Sequence, residues 1–153
     1  MAILKIVTKR DDEEFLRKKS REVTEITPKV LTLLDDMVET MRQANGCGLA
    51  GVQVGVLRRI VVIETEEGLF EFINPKIIAM SGKQTGEEGC LSIPNEWGVT
   101  ERPEHVTVRA LNRNGEVIEV TGHGLLAKAM CHEIDHLDGI LYVDKVIKDT
   151  EDN

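Results

Sequence analysis

The sequence predicts an α+β fold in which small antiparallel sheets and a hairpin pack around a central, buried helix. Three observations point there. Residues 105–121 alternate apolar and polar positions on either side of Asn112-Arg113-Asn114-Gly115, the pattern of a hairpin. Two shorter strand-like runs, Arg59 to Glu64 and Glu71 to Ile78, are separated by the turn-forming Glu66-Glu67-Gly68. From Leu125 to Leu137 the residues Leu, Ile, Met and Ala fall on most sides of a helix, so this segment is expected to be buried nearly all round.

The other elements follow in order. Ile3 to Val7 reads as a short strand, and Asp11 to Ser20 as a surface helix with Phe15 and Leu16 as its buried points. Thr27-Pro28 starts a second helix: a hydroxyl at the cap, proline at the first helical position, and Ile26 placed to pack against Leu31. Leu31, Leu34, Met37, Val38 and Met41 continue its apolar face until Asn45-Gly46 stops it. Residues 46–55 then form a glycine-dense turn ending near Gln53, where small side chains let backbone approach a ligand. A dinucleotide fingerprint is disfavoured there, because the glycine spacing is wrong and no strand precedes it. Residues 85–94 are acidic and glycine-rich around Cys90, and Gly139 ends the last helix.

The chain's 153 residues suit one domain, expected over 1–147 and followed by a short acidic tail at 148–153. Apolar residues make up 41% and charged residues 30%, an ordinary globular balance with no run long enough to span a membrane. The first residues lack the apolar core of a signal peptide, and three cysteines form no disulfide framework, so a cytoplasmic setting is expected. A net charge of -8 without a basic run argues against direct nucleic-acid binding. Nothing in the composition calls for more than a monomer.

Chemistry enters at Cys131-His132-Glu133-Ile134-Asp135-His136. Residues four apart on a helix share a face, so His132 and His136 can offer two imidazoles to one metal ion with Glu133 alongside. Burying three such polar groups in an apolar helix costs several kcal/mol unless something satisfies them, and a metal with a water does so. The third ligand does not lie downstream. Tyr142 stands where the long form of this motif has a third histidine, and only Glu151 remains beyond it as a carboxylate of the glutamate type. Upstream, His105 and His123 have no supporting spacing, and Cys131 points about 100° away from His132 around the helix. Cys47 and Cys90 both lie in glycine-flanked segments, and these considerations leave the two unresolved.

Three separated stretches resemble the peptide deformylase family. Gly46-Cys47-Gly48-Leu49-Ala50-Gly51-Val52-Gln53 is similar to that family's first motif, Glu88-Gly89-Cys90-Leu91-Ser92 to its second, and His132-Glu133-Ile134-Asp135-His136 to its third. Their order and separation fit as well, over about Ile6 to Val143. The resemblance implies that Cys90, His132 and His136 bind a metal, which makes the central helix a metal-binding helix. It further implies that Glu133 is the general base and acid, that Gln53 and the Leu91 N–H stabilise an oxyanion, and that Gly48 lies against the substrate backbone. Ser92 matches the motif without an assigned role. Gly51 departs from the alanine usual in the family and is expected to loosen local packing slightly.

The implied reaction removes the N-formyl group from the N-terminal methionine of nascent polypeptides and releases formate. Fe2+ is the implied ion, with Zn2+, Ni2+ or Co2+ as replacements; a mixed nitrogen and sulfur donor set does not choose among them. For the methionine side chain, helical spacing nominates Leu125 and Ala129 on the face of His132 and His136, together with Cys47. Asp135 is placed to orient a histidine or to pair with an arginine such as Arg102, or else to face solvent. The alternative is a zinc endopeptidase of the His-Glu-x-x-His type, which explains neither Cys90 nor the glycine segment; a non-catalytic structural metal site is the third reading.

Overall fold

The computed structural model describes residues 2–147, and the acidic tail expected over 148–153 lies outside them. In chain order the elements are α1 (Lys9–Leu16), α2 (Pro28–Gln43), β1 (Gly48–Ala50), β2 (Ile60–Thr65), β3 (Gly68–Ser81), β4 (Gln84–Cys90), β5 (Ile93–Arg102), β6 (His105–Leu111), β7 (Val117–His123) and α3 (Gly124–Leu137). Single 3-10 turns occupy Gly51–Val54 and Tyr142–Asp144. The strands make an antiparallel sheet in the order β1-β2-β3-β6-β7 and a separate β4-β5 pair. The mixed α+β architecture expected from the sequence is therefore present.

Strand β2 shows how the layers are built. Val61 and Ile63 pack with Ala127, Met130 and Ile134 of α3, whereas Ile60 and Val62 pack with Leu34, Met37 and Met41 of α2. Successive side chains on a strand point to opposite faces. An uninterrupted Ile60-Val61-Val62-Ile63 run is thus what a strand covered by a helix on each side requires. All four are fully buried, each contributing roughly 1.5–3 kcal/mol. The same enclosure makes α3 the core helix and accounts for its apolar surround.

Helix α2 begins as its sequence dictates: Thr27 Oγ1 accepts the Val30 N–H at 3.3 Å, and Pro28 holds the first helical position. It ends through Asn45, at φ 58, whose short polar side chain tolerates the left-handed region; Gly46 follows in an ordinary conformation. Helix α1 lies earlier than the expected Asp11 to Ser20. Thr8 caps it by accepting the Asp11 N–H at 3.2 Å, and it stops at Leu16 because the Ser20 N–H is drawn to the Leu137 carbonyl.

Four further expectations are corrected. Residues 3–7 belong to no strand, since they bond to Thr40 Oγ1 and the Gln53 carbonyl and not to a ladder. The glycine-dense segment is not a simple turn: Gly48, Leu49 and Ala50 pair with Ile63, Val62 and Val61 as an edge strand. Leu125 is 54% exposed, so α3 is not buried all round; its first turn emerges at the sheet edge. Gly51 leaves no slack, because a methyl built there would stand 2.9 Å from the Val56 and Arg58 carbonyl oxygens. Backbone fills the space that alanine would use.

Candidate metal centre

Cys90 ends β4, and His132 and His136 stand one turn apart on the buried part of α3. Cys90 Sγ lies 3.3 Å from His136 Nε2, which lies 3.2 Å from His132 Nε2, and all three ligand atoms fall within 4.8 Å of one another. Ligand atoms around a tetrahedral ion with bonds of 2.0–2.3 Å are separated by about 3.3–3.7 Å, so the donor set fits a metal of that size. Among the described residues no other cluster of three such groups occurs. Cys47 lines the adjoining cavity, Cys131 is buried in the α3 core, and His105 and His123 face each other across β6 and β7 with ring centres 6.3 Å apart.

Behind His132 lies a network of which the sequence offered only the Asp135–Arg102 pairing. His132 Nδ1 is hydrogen bonded to Glu88 Oε2, which fixes the ring and leaves Nε2 toward Cys90 and His136. Glu88 also accepts from Thr100 Oγ1 at 2.7 Å and from Arg102 Nε and Nη2 at 2.9 and 2.6 Å. Arg102 Nη1 reaches Asp135 Oδ2 at 2.8 Å, which is the arginine pairing considered for Asp135. Glu88 and Arg102 are both 4% exposed, so the two charges satisfy each other inside the protein. Burial would raise Glu88, but hydrogen bonds from His132 and Arg102 overcome it and hold the carboxyl well below its ordinary range. The Tyr142 ring stacks on His132 with centres 6.1 Å apart.

Glu133 occupies the space that Gly48 leaves open: a methyl on Gly48 would stand 2.5 Å from Glu133 Oε2. Its other oxygen, Oε1, is buried with no hydrogen-bond partner among the described residues, as expected of a group that meets a water or substrate. Burial pushes the Glu133 carboxyl up to about 7, against the pull of His132. Burial, the largest cause, holds His136 well below its ordinary range, which favours the neutral imidazole that a metal ligand must be.

Gln53 is fixed at both ends of its amide. Its Oε1 accepts the Ala50 N–H at 2.9 Å, while Nε2 donates to Ser92 Oγ at 3.0 Å and lies 3.5 Å from Cys90 Sγ. Ser92, fully buried, thereby acquires a structural reason: it orients Gln53 beside the cysteine. Leu91 follows Cys90 in the turn between β4 and β5. A cavity of about 430 Å³ opens from this centre, and its walls include Cys47, Gly48, Gln53, Leu91, Leu125, Ala129, His132 and Glu133.

Two histidines of a core helix and a cysteine ending β4 within ligand distance of one another, beside a buried glutamate with one unpartnered oxygen, define a class of protein: an α+β metal-dependent hydrolase. Comparison with known proteins narrows it. The polypeptide deformylase family model matches residues 3–152. The peptide deformylase of Alkaliphilus metalliredigens is 55% identical over 149 residues, covering 97% of this chain and all of that one. That of Acetivibrio thermocellus is 58% identical over 140 residues, covering 92% and 82%. The crystal structure of the Thermotoga maritima peptide deformylase superposes with a TM-score of 0.92 at 33% identity, covering 97% of this chain and all of that one. The chain belongs to the peptide deformylase family, enzymes that remove the N-formyl group from nascent peptides.

Proposed function

We propose that Cys90, His132 and His136 hold the metal of this deformylase, that the native ion is ferrous iron with zinc, nickel or cobalt as replacements, and that Glu133 carries the proton. The observation that carries this reading is the convergence of three ligand atoms within 4.8 Å beside a buried carboxylate with a free oxygen. When bound, the ion supplies Lewis acidity that makes water a nucleophile at neutral pH.

The chain's own residues do the rest. Gln53 Nε2 and the Leu91 N–H donate to the formyl oxygen as negative charge develops on it. Glu133 takes a proton from the attacking water and delivers it to the methionine nitrogen as the C–N bond breaks, yielding formate and a free amine. A buried carboxyl with one oxygen free of protein partners is suited to both halves of that transfer. Gly48 lies against the substrate backbone, and Cys47, Leu125 and Ala129 line the space for the methionine side chain. Glu88, anchored by Arg102, acts through His132 as a positioning residue.

Residues 1–147 act as one catalytic domain, as a cytoplasmic monomer, on formyl-methionyl polypeptides. No helix among the described residues is long and apolar enough to cross a membrane. The test is anaerobic metal analysis together with formate release from a formyl-methionyl peptide. One equivalent of metal and stoichiometric formate are expected; cleavage of an unstructured protein without formate would replace this reading by the endopeptidase one.

A further inference from the structure

His105 and His123 stand directly opposite each other on β6 and β7, and opposite residues of an antiparallel pair project from the same face. The inner face of this pair belongs to the core, where Val106, Val108 and Ala110 pack with Ile118 and Val120 against α3. The outer face carries polar residues matched pair by pair. Thr107 and Thr121 share a hydrogen bond at 2.8 Å, and Arg109 Nε donates to Glu119 Oε2 at 2.9 Å. The last pair in this row is His105 with His123, both exposed, with ring centres 6.3 Å apart. Two imidazoles side by side repel once both are protonated, whereas a metal ion between them turns the pair into an attraction.

Imidazole nitrogen binds a transition ion at about 2.0–2.1 Å, which puts two rings on one tetrahedral ion with their centres about 5 Å apart. For His132 and His136 the separation is 4.9 Å. The surface rings have to close by about 1 Å, a movement that exposed side chains make freely. A carboxylate is anchored beside them: Glu104, next to His105 in sequence, accepts through Oε2 the N–H of Gly124, next to His123, at 2.5 Å. It brings negative charge to the place where a cation would sit. We propose that His105 and His123 form a second metal site, which takes zinc, nickel or copper(II) through two imidazoles and leaves the remaining positions to water. Imidazole suits these ions, ferrous iron stands below all three in the affinity order of divalent ions, and magnesium and calcium prefer oxygen. The site is separate from the centre at Cys90, because His123 caps α3 nine residues and about 13 Å of helix before His132. An ion held there ties the edge strand β7 to β6 and stabilises the folded chain by mass action.

The test uses untagged protein whose Cys90, His132 and His136 centre already holds nickel, titrated calorimetrically with further Ni2+. The wild type is expected to bind one more equivalent and to rise in Tm as that equivalent saturates. Two ligands held on one hairpin act at a high effective concentration, so His105→Gln and His123→Gln should each weaken the second equivalent at least about tenfold. Both variants should keep the first equivalent and wild-type formate release, because neither side chain lines the catalytic cavity. Magnesium at the same ionic strength should leave the Tm unchanged. A wild type that stops at one nickel per chain overturns the site. So does a second equivalent that survives both substitutions, a first equivalent lost in either variant, or a magnesium response equal to that of nickel.

Discussion

Gly48 and Glu133 share one volume: the absent methyl of the glycine is where the carboxylate of the glutamate stands, 2.5 Å from Oε2 and 2.9 Å from Cδ. β1 and α3 approach each other there without a side chain between them. The closeness follows from the edge pairing of Gly48 with Ile63, which brings the backbone over the helix. Gly48→Ala must push Glu133 from its position or part the strand from the helix. We expect kcat for deformylation to fall at least about a hundredfold, with the metal still bound. Circular dichroism, metal content and formate release on one preparation check this; full activity in the variant would mean that Glu133 is not held by this contact.

Removing the carboxylate while leaving the ligands intact separates binding from chemistry. Glu133→Gln should retain one metal per chain and lose about two to four orders of magnitude in kcat. Glu133 is 4% exposed and Oε1 has no protein partner, so little in the fold depends on its charge. A variant that keeps wild-type kcat would transfer the proton-carrying role elsewhere.

Glu88→Gln probes the support behind His132. The substitution puts an amide where His132, Thr100 and Arg102 all donate, and it leaves Arg102 with only Asp135 to balance its buried charge. Metal affinity is expected to drop about 10- to 100-fold, with a stability loss on the order of 3 kcal/mol. Competition with a calibrated chelator reads the first, and urea unfolding the second. An unchanged metal Kd would show that Glu88 does not orient the ligand.

The contrast between His132 and Glu88 explains what the sequence could disclose. His132 and His136 are four residues apart in one helix, so local periodicity alone puts them on one face, with Glu133 next to the first. The β6-β7 hairpin and the doubly covered β2 are equally local patterns. Glu88 reaches His132 across 44 residues, a pairing no local period encodes. Strands β4 and β5 were hidden for a related reason: glycine and glutamate take seven of their seventeen positions, where apolar alternation should show. Their pairing is carried by buried polar contacts such as Thr100 with Glu88. Cys90 was one of two candidates on composition and geometry, and only the second family motif singled it out. Leu125 had helical spacing in its favour, but spacing does not reveal that the helix start protrudes.

Gly139 is the position where the backbone leaves least choice. Its φ is 76, and a methyl built on it would run into the Arg17 carbonyl. Gly139→Ala combines a left-handed backbone with a clash against main chain that cannot rotate away. We expect a loss of about 2–4 kcal/mol in thermal or urea unfolding, with the ligand set unaltered in the folded fraction. A loss below about 0.5 kcal/mol would mean that residues 17–20 shift freely, contrary to the Ser20 bond to Leu137.

The same corner supplies a pH prediction. Arg17 Nη2 donates to Asp144 Oδ1 at 3.1 Å and a second nitrogen bonds Oδ2, tying the end of α1 to the turn after α3. The hydrogen bond from Arg17 is the main cause that holds Asp144 below its ordinary value of 3.8. Because the folded value is the lower one, the ionised pair stabilises the fold fully above the unfolded value of about 4, and that contribution is lost as pH falls through the folded value. Both side chains are about one-third exposed, so solvent screening reduces the effect to about 0.5 kcal/mol. Asp144→Asn keeps an oxygen for the Leu141 N–H, normally accepted at 3.1 Å, and removes the charge together with the second acceptor that Arg17 uses. Urea unfolding of both proteins, with chelator present throughout so that metal release does not contribute, should show wild type ahead by about 0.5 kcal/mol at pH 6. The gap should close toward pH 3. A gap that widened on acidification would reverse the sign and exclude Arg17 as the cause.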